Sequence, residues 1–187
     1  MGCVYDCDYS WIINKDKDFF KREEFIRITN FFVYNTPCKT LSARSIELKE
    51  YGWSNPWKKP YSLRVQLCNA STNKNLIYST NRYAFMEETL IKSNLLDRFP
   101  CNLDSERICI YDKMSNQTLS VFYHLRNALA HGRYDVRDVD EEKVYIFQDV
   151  NLTKKKYKVS ARMIIKEKTL LRWIEIIELG EEIYKNK

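Results

Sequence analysis

Apolar residues recurring every three or four positions predict helices along much of this chain. In residues 16–33, Phe19, Phe20, Phe25, Ile26, Ile28, Phe31 and Phe32 keep close to that period. Asp16 or Asp18 would cap this helix, and Asn35-Thr36-Pro37 breaks it. Residues 80–99 follow the period better, with Tyr83, Met86, Leu90, Ile91, Leu95 and Phe99 in one stripe and Pro100 as the stop. Residues 167–184 carry a broad apolar face that includes Leu170, Leu171, Trp173, Ile174 and Ile177. Residues 41–50 read as a short helical piece, residues 61–67 as either helix or strand, and Ile108-Cys109-Ile110 is too short to assign.

Composition turns β-like in two late stretches. KVYIFQDV at 143–150 and YKVSARMII at 157–165, with a polar turn between them, predict a β-hairpin. The charged residues 133–142 read as an exposed connection. Nothing repeats and no linker divides the chain. The expectation is a single domain over residues 1–187, with residues 1–15 as a short arm. Its fold class is mainly α: a helical bundle with a small β-hairpin before the last helix.

One helix stands out, over residues 115–131. Ser115, Asn116 or Thr118 can cap it, and Gly132 suits its end. At 100° per residue, Val121, Phe122, Leu125, Ala128 and Leu129 share the core side. Ser120, His124, Asn127 and His131 fall together on the other side, and the chain's two histidines are both among them. Arg126 lies about 140° around the axis from His131. Bringing the two together takes either a distorted helix end or a second subunit.

The 187 residues are enough for a core without cross-links, and the net charge is +6. A basic balance suits a nucleic-acid ligand, and equally many plain basic proteins. No stretch approaches 18 uncharged apolar residues, which argues against a membrane span. Asp6 and Asp8 precede any apolar run, unlike an export signal. The six cysteines (Cys3, Cys7, Cys38, Cys68, Cys101, Cys109) therefore read as thiols in a reducing cytoplasm. Cys3 and Cys7 have metal-like spacing but no second pair. Asp135, Asp138, Asp140, Glu141 and Glu142 read as a solvated run. Neither a metal nor another cofactor is expected.

The polar stripe has two readings. A histidine at a helix C-terminus complements the helix dipole, Arg126 can serve in an ion pair, and Asn127 can be a buried hydrogen-bonding residue. Alternatively, the group can cleave RNA without metal. That chemistry needs a base for the 2′-hydroxyl, an acid for the 5′-oxygen and a cation for the developing charge. Histidine and arginine supply these roles, and Asn127 would orient either. Further along, Lys154, Lys155, Lys156, Tyr157 and Lys158, with Arg133 and Arg137, form a candidate phosphate-binding rim. Tyr157 or Tyr134 would stack on an unpaired base. The bland alternative is an ordinary solvated hairpin turn.

At Arg126-Asn127-Ala128-Leu129-Ala130-His131 the chain resembles the HEPN superfamily through that family's Arg-x4-6-His pattern. The resemblance is carried best by residues 115–184, and it covers stand-alone HEPN proteins of plasmids and defence loci. It implies a helical bundle and a metal-independent endoribonuclease acting on single-stranded RNA or RNA loops. Arg126 and His131 would be catalytic, with Asn127 positioning them and His124 as an auxiliary acid or base. A homodimer would form the cleft from two such motifs, in a toxin or phage-defence setting with an antitoxin or defence-system partner. Some members only bind RNA or scaffold proteins, which is the alternative. The tyrosine that toxin members carry two residues after the histidine is Arg133 here, and the tyrosine follows at Tyr134.

Overall fold

The apolar stretches without a clear helical period form strands, and these make the centre of the molecule. The structure is a computed structural model that describes residues 17–38, 44, 46–59, 62–73, 76–114, 116–153 and 156–185. Five strands, β1 (Ile77–Thr80), β2 (Arg107–Tyr111), β3 (Tyr134–Val139), β4 (Glu142–Thr153) and β5 (Lys156–Lys166), join in the order β1-β2-β5-β4-β3. β1 runs parallel to β2, and the remaining pairs are antiparallel. The helices are α1 (Glu23–Thr29), α2 (Leu63–Asn69), α3 (Met86–Lys92), α4 (Gln117–Ala130), α5 (Glu167–Leu179) and α6 (Glu182–Lys185).

Helices cover both faces of the sheet. α4 and α5 press Phe122, Leu125, Trp173 and Ile174 onto a face that includes Ile110, Phe147 and Met163. α3 sets Met86 and Leu90 against Cys109, Ile146 and Ile164 on the opposite face. Strands buried on both sides read as apolar runs rather than as alternation, which is why β2 was hard to assign from sequence. α3 is the crossover that lets β1 and β2 run parallel, and α4 carries the chain across the sheet from β2 to the far edge at β3.

This architecture corrects the expected fold class. The sheet is the core, and among the described residues no helical bundle with a minor hairpin is present. Residues 16–33 break into a 3-10 turn at Phe19–Lys21, the short α1 and a π-helical turn over Asn30–Asn35. Residues 80–99 keep only a 3-10 turn, Tyr83–Phe85, and α3. The connection at 133–142 contains the edge strand β3. The hairpin and the last helix lie where the pattern set them, although Gly180 separates α5 from α6. The apolar face of α5 packs into this core through Leu170, Trp173, Ile174 and Ile177. Among the described residues no helix is long and apolar enough to cross a membrane. Cys38, Cys68, Cys101 and Cys109 are free thiols, while Cys3, Cys7 and the expected arm lie outside the described residues.

Candidate functional site

α4 begins at Asn116, whose side-chain oxygen accepts from the Leu119 N–H at 3.1 Å. It ends in a Schellman turn. The Arg133 N–H donates to the Ala128 carbonyl at 2.8 Å and the Gly132 N–H to the Leu129 carbonyl at 3.1 Å. Gly132 has a φ of 63°, a left-handed geometry that glycine adopts without strain. This turn feeds the chain into β3 and fixes the backbone of Arg133, whose carbonyl accepts from the Gln148 N–H at 3.0 Å.

Within the polar stripe, Ser120, His124 and Asn127 are buried and His131 is exposed. His124 is 0% exposed. Its Nδ1 lies 2.7 Å from Asp149 Oδ2, and its Nε2 lies 2.8 Å from the Tyr111 carbonyl. A carbonyl only accepts, so Nε2 is a donor, and the contact between Nδ1 and Oδ2 shares a single proton. Asp149 Oδ2 also accepts from Asn127 Nδ2 at 3.3 Å and from the Ser160 hydroxyl at 3.1 Å. Ser160 is available because the register slips there: Asp149 pairs with Ala161, and Val150 with Val159. The bulge turns Ser160 out of the ladder and toward the carboxylate. Three elements are thereby tied at one point, namely α4, the end of β2 and the start of the outer part of the hairpin.

These contacts settle where the expected catalytic residues stand. Both ring nitrogens of His124 are engaged and sealed from solvent. Asn127 is buried in the same network, and Arg126 Nη1 donates to Asn127 Oδ1 at 3.1 Å. His131 is exposed beyond the last turn of α4, where its N–H closes the helix on the Asn127 carbonyl at 3.0 Å. The Arg126 guanidinium thus turns to Asn127, while the His131 side chain lies on the surface. Among the described residues no group of three or more His, Cys, Asp or Glu side chains is placed to hold a metal ion. The acidic run has other work. Asp135 accepts from the Val136 N–H and from Arg137 Nε, Asp138 pairs with Lys143, and Glu142 bridges Lys166 and Lys168.

Past the bulge, β4 and β5 pair only with each other and form a two-stranded arm. On one face Tyr157 lies under the Arg133 guanidinium, 5.8 Å from ring centroid to cation. On the next rung Lys158 is opposite Asn151. The Lys158 ammonium sits 5.9 Å from the Tyr83 ring, and Asn151 donates to the Tyr83 hydroxyl. Tyr83 in turn stacks on Tyr111 at 4.1 Å. Burial raises the pKa of the Tyr83 phenol, with Tyr111, Asp149 and Tyr123 adding to the rise and the Asn151 hydrogen bond opposing it.

Of the expected rim, Arg133 and Tyr157 are brought together. Lys154 and Lys155 lie outside the described residues, as does the side chain of Lys156. Arg137 stands over Phe99 at 5.2 Å and is held by Asp135. Tyr134 is buried against Phe25 and Phe147, and burial pushes its phenol up to about 12, so it offers no face to a base. Tyr83, Asn151 and Leu152 were missed because their roles depend on the arm's pairing. Asp149 was missed too, although Gln148-Asp149 inside an apolar strand was a polar signal.

No family model matches the chain, and neither a curated protein nor a solved structure matches it. Together with the central sheet, this overturns the resemblance to the HEPN superfamily. The endoribonuclease and hydrolase readings fall with it, as do the toxin or phage-defence setting and the noncatalytic alternative on that fold. Six residues of an amphipathic helix matched a short pattern, and the fold around them is a different one.

Proposed function

We propose that this protein binds single-stranded RNA with the arm formed by the outer halves of β4 and β5. One observation carries the reading: a cation lies over a tyrosine ring on each face of the same arm, Arg133 on Tyr157 and Lys158 on Tyr83. The Tyr157 ring offers a base a stacking surface, while Tyr83 is engaged with Tyr111, and Arg133 and Lys158 are the cations for the phosphates that follow. The net charge of +6 acts in the same direction. α4 supports the base of the arm through the hydrogen bonds of His124 and Asn127 to Asp149.

The test is fluorescence anisotropy of a labelled 12-nucleotide RNA at a series of salt concentrations, with DNA of the same sequence and duplex RNA alongside. The single-stranded RNA is expected to bind most tightly, with log K falling linearly as log salt rises. Arg133→Ala and Lys158→Ala should each flatten that slope by about 0.7, the share of one phosphate contact on a single strand. Absence of binding, preference for the duplex or for DNA, or a slope unchanged in both variants would contradict the reading.

A further inference from the structure

Leu152 is the most exposed large apolar side chain among the described residues, at 63%. It stands directly opposite Tyr157 on the arm. Directly opposed residues of an antiparallel pair project from the same face, so Leu152 and Tyr157 form one apolar rung. Arg133 borders that rung from the start of β3, with its guanidinium over the Tyr157 ring. The next rung, Asn151 with Lys158, faces the other way and is engaged with Tyr83. An isolated leucine on a protein surface needs no explanation. This one sits on a narrow two-stranded arm, against a ring and a cation, in a chain of net charge +6.

Phosphate binding alone gives no reason for an apolar rung there. A surface that reads only charge works better with polar side chains, which also keep an arm from pairing with another arm. We infer that the Leu152–Tyr157 rung is the seat of one unpaired nucleobase, with Arg133 meeting the phosphate beside it. A base presents a flat apolar face and carries its negative charge one sugar away, which fits an apolar rung bordered by a cation. In a duplex that face is already stacked, so the rung selects single strands. This inference rests on the RNA-binding reading above and adds a base-contacting position to it.

The test compares two labelled probes of equal length, a 12-nucleotide RNA and the abasic ribose-phosphate oligomer, against wild type, Tyr157→Ala, Tyr157→Phe and Leu152→Ala. Thermal melts confirm that each variant is folded. Wild type is expected to favour the base-bearing RNA by about 5-fold or more, since stacking of one base is worth about 1–3 kcal/mol. Tyr157→Ala should bring the RNA down toward the abasic level and leave the abasic probe unchanged. Leu152→Ala should do the same more weakly, and Tyr157→Phe should keep the preference. If wild type binds both probes equally, or Tyr157→Ala weakens both alike, the base seat is wrong while RNA binding stands. If neither probe binds wild type, the RNA reading fails and the seat with it.

Discussion

His124 illustrates how a side chain with catalytic chemistry can be assigned to structure by its neighbours. Its ring is buried, one nitrogen is set against Asp149 and the other against a backbone carbonyl. Removing His124 takes the nearest partner from the buried Asp149 carboxyl and leaves the longer bonds from Asn127 and Ser160, and the typical cost of breaking a buried pair is about 3–5 kcal/mol. His124→Ala is therefore expected to lower unfolding stability in urea by about 3 kcal/mol or more. His131→Ala, exposed past the helix end, should stay within about 0.5 kcal/mol. Similar losses at the two positions would contradict the assignment. The stripe of His124, Asn127 and His131 was legible from helical spacing, and so was the alternative of a buried Asn127. The partner of His124 was not, because Asp149 comes from a strand 25 residues away and a bulge turns Ser160 toward it.

At the scale of elements, local patterns served where one face packs and failed where two do. The core face and the caps of α4 follow from period and terminal residues, and the β4–β5 hairpin from its β-branched and aromatic content. The sequence marks residues 151–155 as a turn and Lys154–Lys158 as a candidate rim, but not a paired arm, since pairing past the ends of β2 and β3 is a tertiary fact. β3 was read as a loop because Asp135, Arg137 and Asp138 dilute its apolar signal. Those charges belong to an edge strand. The Asp135 carboxylate occupies the Val136 N–H at 2.9 Å, and this guards the open edge against pairing. The turn from β3 to β4 holds Asp140 at φ 47° and Glu141 at φ 65°. Such two-residue turns favour Asn-Gly, and left-handed backbone costs an ordinary residue about 1–2 kcal/mol. Glu141→Gly should accordingly raise the denaturant midpoint by the equivalent of about 1 kcal/mol. A lowered midpoint would mean that the turn is not strained.

For the molecule as a whole, sequence reading missed the fold class because the sheet is assembled from strands that are short, distant or buried on both faces. β1 and β2 join across the α3 crossover, and β2 meets β5 from far along the chain. No local period reports those pairings. The resemblance at residues 126–131 implies a helical bundle, which the central five-stranded sheet contradicts. On the proposed function, the labour divides between two parts: a buried knot on α4 that anchors, and a cationic, aromatic arm that is the proposed binding surface. Titrating labelled single-stranded RNA with wild type, His131→Ala and the double variant Arg133→Ala/Lys158→Ala tests that division most directly. The double variant is expected to bind at least about 10-fold more weakly, a loss of about 1.4 kcal/mol, with His131→Ala unchanged. Loss of binding in His131→Ala with the double variant unaffected would contradict it.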